Sequence, residues 1–247
     1  MKHLQSANRL SSEVIEKIYL LIDLSGSMDE EDYTPSRKEG ALQAALKFID
    51  TKANLYPKDQ VGIVGFAERA FRIPCHKKFD GDLEAFRQLI NQKGREYDIG
   101  ACTDFTFALM EARRGFPSWL GPIDKKAISA AINYIQSIFI EESGGNKDKE
   151  EAKAAGREVN KRIIMLTDGH HLGYIDPVYI AKDLKESGVT IECIGIAGNR
   201  RDVDEELLKK IASTDEKGKP RYYFIKDTSS LIKKYASMAH RIRTVKN

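Results

Sequence analysis

Asp23-Leu-Ser25-Gly26-Ser27 sets a carboxylate and two hydroxyls at alternate positions, directly after the apolar run from Ile18 to Ile22. A short apolar run bounded by polar turn formers reads as a buried strand. The glycine lets the backbone bend, so the oxygens of Asp23, Ser25 and Ser27 can converge just past the strand end. Oxygen donors without Cys or His suit a hard divalent cation: Mg²⁺ first, with Mn²⁺ or Ca²⁺ as alternatives. The competing reading is a turn in which the same side chains only cap backbone groups. Two distant stretches bear on the choice, Ala101-Cys-Thr103-Asp104 and Thr167-Asp168-Gly169.

These residues need elements to carry them. Apolar patterning predicts strands over 18–24, 60–66, 71–73, 161–166, 189–194 and 221–225, the second and third forming a hairpin. Between them fall helices. One is announced by Pro35 and by Ser36-x-x-Glu39, a capping-box pattern with the proline in the first turn. Others begin at Gly81-Asp82, span 107–114 and 127–140, open at Asp176-Pro177 before Gly188, and are capped by Asp202-x-x-Glu205. A terminal helix carries Leu231, Tyr235, Met238 and Ile242 on one face. Strands alternating with helices imply an α/β fold: a doubly wound, mainly parallel sheet with one short antiparallel edge strand and helices on both faces. Ligands of such sheets bind beyond the carboxyl ends of the strands, at a topological switch point. Asp23, Ser25, Ser27 and Asp168 all follow strand ends, with Thr103 in a loop between them. Capping does not explain that convergence.

With those residues placed, the chain resembles the von Willebrand factor A domain family. Asp23-x-Ser25-x-Ser27, Thr103 and Asp168 match the three parts of the family's metal-ion-dependent adhesion site. Gly62-x-x-x-Phe66, Gly188-Val-Thr-Ile, Ile194-Gly-Ile196 and Asp204-Glu-Glu-Leu-Leu extend the similarity over about residues 16–243. The resemblance implies a Rossmann-like sheet and one divalent cation. Ser25 and Ser27 would bind it directly, Thr103 directly or through water, and Asp23 and Asp168 largely through water and hydrogen bonds. A partner's Asp or Glu would fill the open position, and the terminal helix would shift between affinity states. Met28, Asp29, Asp104, His170 and His171 are candidates for the partner-contact rim. For the two histidines an ordinary exposed-loop role stands beside contact with a partner or a pH effect on its carboxylate. Cys102 reads as a packing residue rather than a redox switch.

The totals narrow the function. The chain has 247 residues, 41% hydrophobic and 31% charged, with 40 basic against 37 acidic residues and a formal net charge of +3. That balance gives no support for nucleic-acid binding, which a clustered basic excess would mark. Cys75, Cys102 and Cys193 are odd in number and form neither a metal spacing nor a disulfide framework, as expected of a reducing compartment. The N-terminal stretch has no apolar signal region, and no run approaches the roughly 18 apolar residues of a membrane span. The expectation is a cytoplasmic protein with a lead-in over 1–15 and one domain over 16–247. The charged segment 141–160 is taken as an insertion, either an exposed helix or a linker, with a partner-recognition arm as the sharper alternative. The expected function is a metal-dependent protein-binding scaffold or adaptor, and members similar to it work with AAA-type ATPases, kinases or phosphatases. The alternative is a phosphatase-like hydrolase using the same cation to activate water. No Gly-x-x-x-x-Gly-Lys-Ser/Thr loop and no Gly-x-Ser-x-Gly elbow occurs, so a non-enzyme is expected.

Overall fold

The computed structural model describes residues 15–75, 79, 81–116 and 159–240. The expected helix over 127–140, the charged segment 141–160 apart from its last two residues, and Ile242 lie outside them. β1 (Ile15–Asp23) is paired in parallel with β2 (Gln60–Phe66) on one side and β4 (Val159–Thr167) on the other. β3 (Ala70–Cys75) runs antiparallel against β2 and closes one edge. β5 (Val189–Ile196) and β6 (Tyr222–Ile225) continue in parallel beyond β4, giving the order β3-β2-β1-β4-β5-β6. The chain lays β2 and β3 on one side of β1, then returns to lay β4, β5 and β6 on the other. The switch point of the sheet is therefore the β1–β4 boundary.

Alternation along β1 assigns the two faces. Ile18, Leu20 and Ile22 pack with α1 (Arg37–Leu55), α2 (Leu83–Glu96) and α6 (Thr228–Met238). Tyr19 and Leu21 pack with α3 (Phe105–Gly115), α4 (Pro177–Glu186) and α5 (Glu205–Ile211). Both faces of β1 are covered, so its sequence is a continuous apolar run rather than an alternating one.

The helix starts follow the expected chemistry with three corrections. Ser36 caps α1 by accepting from the Glu39 N–H, so Pro35 lies before the helix and not in its first turn. Glu39 does not complete a capping box; its carboxylate takes Arg87 at 2.7 Å and Gln43 instead. Asp204, not Asp202, caps α5 through the Leu207 N–H, and Asp202 lies in a 3-10 turn, Arg200–Asp202. Gly188, with φ of +78°, ends α4 in the left-handed conformation that favours glycine.

Close packing at the sheet gives a direct test. Tyr19 donates its hydroxyl to the Gly115 carbonyl at 2.8 Å, which fixes its ring across β2 at Gly62. A methyl group at Gly62 would overlap that ring. Gly62→Ala is expected to cost about 1–3 kcal/mol, read as a lower midpoint in denaturant at unchanged slope. A midpoint equal to that of the natural protein would mean that the Tyr19 ring yields freely.

Candidate metal centre

β1 ends on Asp23 and β4 on Thr167, side by side at the switch point, and this adjacency builds the site. Asp23 is fully buried; one carboxylate oxygen accepts from the Ser25 N–H at 2.9 Å and the other from the Thr167 hydroxyl at 2.5 Å. The Ser25 and Ser27 hydroxyls lie 3.3 Å apart. Ser27 donates to Asp168 Oδ1 at 3.0 Å. Two loops and two strands thus contribute one continuous chain of oxygens. Thr103 joins from the loop before α3, where its Oγ1 sits against Gly169, 3.1 Å from where a Cβ there would stand. That loop is stitched to the others by Gly26 N–H to Ala101 O at 3.1 Å and by Leu172 N–H to Thr103 O at 2.8 Å. Gly26 itself holds an ordinary backbone angle with open space at its Cβ, so the turn does not require glycine there.

The donor set can be tested against a cation. Burial pushes the Asp23 carboxyl up to about 6, while its bonds from Thr167 and Ser25 act the other way. Burial also raises Asp168, opposed by Arg37 and Ser27. Two buried acids with incompletely balanced charge, flanked by serine hydroxyls, form a site that a divalent cation would complete. Among the described residues no group of three His, Cys, Asp or Glu side chains is arranged to hold a metal ion, so a cation here would depend on the hydroxyls. Both oxygens of each carboxylate already accept hydrogen bonds. The serine hydroxyls are the less committed donors and suit direct ligation, the carboxylates holding them in place. Protons and cation then compete for Asp23. In chelator the carboxyl holds its proton in the fold to a higher pH than in the unfolded chain, so its contribution to stability falls as pH rises from about 4 through 6. Added magnesium is expected to raise Tm fully above about pH 7 and progressively less below about pH 6. An increment that does not change with pH would remove Asp23 from the site.

Patterning alone missed Arg37. It is 3% exposed and faces the site from the first turn of α1. Its Nη1 donates to Asp168 Oδ2 at 2.6 Å, while Nε and Nη2 hold both oxygens of Asp32 at 2.7 and 2.6 Å. Nη2 also lies 2.7 Å from Glu30. Burial works to lower the guanidinium's basicity, and Asp32 and Asp168 more than reverse it. Arg37 in turn holds Asp32 below the usual carboxylate range. Asp32 further accepts from Gly198 N–H at 2.8 Å, which ties the acidic loop after β1 to the loop after β5. The acidic residues of that loop therefore include internal partners of a buried arginine. A hint stood in Ser36-Arg-Lys-Glu39, where a basic residue in a helix's first turn runs against the helix dipole.

The rim expectations divide. Asp29 and His170 are exposed; His170 Nδ1 stands 4.0 Å from Asp204. Met28 is fully buried, in the core beneath the turn Gly26–Asp29, because the turn folds its apolar side chain onto α1. Asp104 caps α3 through the Thr106 and Phe107 N–H groups. His171 turns inward. Its Nδ1 accepts from Phe105 N–H at 3.2 Å, its Nε2 meets Ile175 O at 2.7 Å, and its ring lies 5.4 Å from that of Phe105. Met28 is thus buried in the core, while Asp104 and His171 are partly buried and bonded within the fold. Cys102 is exposed rather than packed, whereas Cys193 is buried.

Residues 18–171 match a family model of the von Willebrand factor type A domain, and residues 122–237 match a second model of the same description. No curated protein matches the chain. Among solved structures, the SpRpn10 VWA domain is similar over 89% of this chain and 95% of its own, at 15% identity and a TM-score of 0.55. Proximal thread matrix protein 1 from the mussel byssus, in a form with a zinc-occupied MIDAS motif, is similar over 92% of this chain at 18% identity and a TM-score of 0.53. This chain spans 48% of that protein's length. BatB from Bacteroides thetaiotaomicron is similar over 90% of this chain and 96% of its own, at 20% identity and a TM-score of 0.52. At these identities the likeness is one of fold.

Proposed function

Because this chain belongs to the von Willebrand factor type A domain family, we propose that it is a metal-dependent protein-binding module whose cation bridges to a carboxylate of a partner protein. The observation that carries this reading is the convergence of the Ser25 and Ser27 hydroxyls with two buried carboxylates at the β1–β4 switch point. Ser25, Ser27 and Thr103 would hold the cation, Mg²⁺ in the first instance, with Asp23 and Asp168 orienting the shell. When bound, the cation supplies an electrophilic position for a partner's Asp or Glu. Asp168 fixes the Ser27 hydroxyl, and Thr167 with the Ser25 N–H fixes Asp23, so the donors are set before a partner arrives.

The same reading makes the protein a cytoplasmic scaffold or adaptor, working beside an AAA-type ATPase, a kinase or a phosphatase, and not an enzyme. Two histidines lie near the rim, one held by the fold and one exposed. His171 is held by Phe105 and Ile175, and His170 faces Asp204. No helix of the described residues is long and apolar enough to cross a membrane. Affinity capture on the whole chain in magnesium is expected to retain proteins that both chelator and Asp23→Ala release. A set of captured proteins unchanged by either would overturn the bridging role.

A further inference from the structure

The loop that follows Asp168 turns His171 inward and two large apolar side chains outward. Leu172 is 65% exposed and Tyr174 is 99% exposed; Tyr179, in the first turn of α4, is 56% exposed. These are three of the five exposed large hydrophobic residues among the described residues, gathered into eight consecutive positions that begin four residues after Asp168. Single exposed apolar residues are ordinary, but three within eight positions of a segment that leaves a candidate site are not.

The loop is well tied down. The Leu172 N–H donates to Thr103 O at 2.8 Å, so Leu172 stands beside the loop that carries a candidate metal ligand. His171 is pinned from both ring nitrogens and stacked near Phe105. The Ile175 carbonyl also accepts from the Thr106 hydroxyl at 2.9 Å. At Gly173 a methyl group would collide with the Asp104 and His171 side chains, so that position needs glycine for its close approach. Rigid backbone with large apolar side chains pointing outward is the form of a preorganised contact, because little ordering remains to oppose binding. Aromatic and aliphatic anchors of this kind carry much of the energy at protein interfaces.

We infer that Leu172 and Tyr174 form an apolar contact next to the metal centre, and that the partner is a polypeptide segment with an apolar side chain within a few residues of its metal-binding Asp or Glu. The charge of the cation selects the carboxylate and the rim selects its neighbour. This inference rests on the metal-bridge reading above and adds the chemistry of the partner to it.

The test uses the full chain in magnesium and a displayed peptide library with one fixed Glu flanked by randomised positions. Selected peptides are expected to be rich in Leu, Ile, Phe, Tyr or Trp near the Glu and to be released by chelator. The double variant Leu172→Ser, Tyr174→Ser is expected to bind the best of them about tenfold more weakly or worse. Its magnesium-induced rise in Tm should stay unchanged, which also shows that the variant folds. Selection for the Glu with no apolar neighbour, or equal affinity in the variant, would overturn this inference and leave the metal bridge standing. Self-association of the chain that the double variant abolishes would assign the patch to a second copy and overturn it too. Selection that survives chelator, or no selection at all, would overturn the metal bridge and this inference with it.

Discussion

Arg37→Met is expected to lower stability in chelator by about 3–5 kcal/mol, the usual cost of removing one partner from a buried ionic group. For a chain of this size that is a fall in Tm of roughly 6–20 °C. The guanidinium serves Asp168, Asp32 and Glu30 at once, and methionine would leave the buried Asp168 carboxylate without this cationic partner, with the Ser27 hydroxyl still bonded to it. Arg37→Lys keeps the charge but loses the two-pronged contact with Asp32, so an intermediate loss is expected. The variant also separates two roles of Arg37. If it is the internal counter-charge of the site, excess magnesium should raise Tm more in Arg37→Met than in the natural protein, since the site has become more anionic. Equal magnesium increments in the two proteins would reduce Arg37 to a structural tie between the loops after β1 and β4. An unchanged Tm in chelator would remove even that role.

Asp23→Ala is expected to abolish the stabilisation by divalent cation altogether. At a cation concentration of about 100 Kd the natural protein gains about 2.7 kcal/mol by mass action, and the variant should gain nothing. In chelator at neutral pH the substitution has opposing effects. It strands the Ser25 N–H and the Thr167 hydroxyl, but it also removes a buried carboxylate whose charge burial disfavours. Stability without metal is therefore expected to change less than the metal increment does. The measurement is a pair of thermal melts, with magnesium and with chelator, on both proteins. A variant that retains the increment would place the cation elsewhere, and a natural protein with no increment would leave the site without a metal role.

Much of this fold could be read from residue order. The apolar runs at 18–22, 61–66 and 163–166 mark strands buried on both faces, since only a fully covered strand can be apolar at every position. Ser36 and Asp176 announce helix starts because their side-chain oxygens satisfy N–H groups that a helix leaves open. The candidate oxygen donors could be named for a similar reason: Asp23, Ser25, Ser27 and Asp168 each stand just past a strand, where a parallel sheet collects its ligands. These are local properties or rules of topology, and the order of residues carries both.

Other features depended on which neighbours the fold supplied. Arg37 and Lys38 are adjacent basic residues in one helical turn, alike to any pattern. One is buried against four carboxylates, and the other lies at the surface beside Asp29. His170 and His171 divide the same way, the first toward solvent and the second under the loop. A one-residue step along a helix or loop turns a side chain by a large angle, so burial there is decided by what packs alongside. Asp23-Leu-Ser25-Gly26-Ser27 thus determined the chemistry of the site by its residue types. The pairing of β1 with β4 brought Asp168 to it, and with Asp168 came the buried arginine that shares its carboxylate.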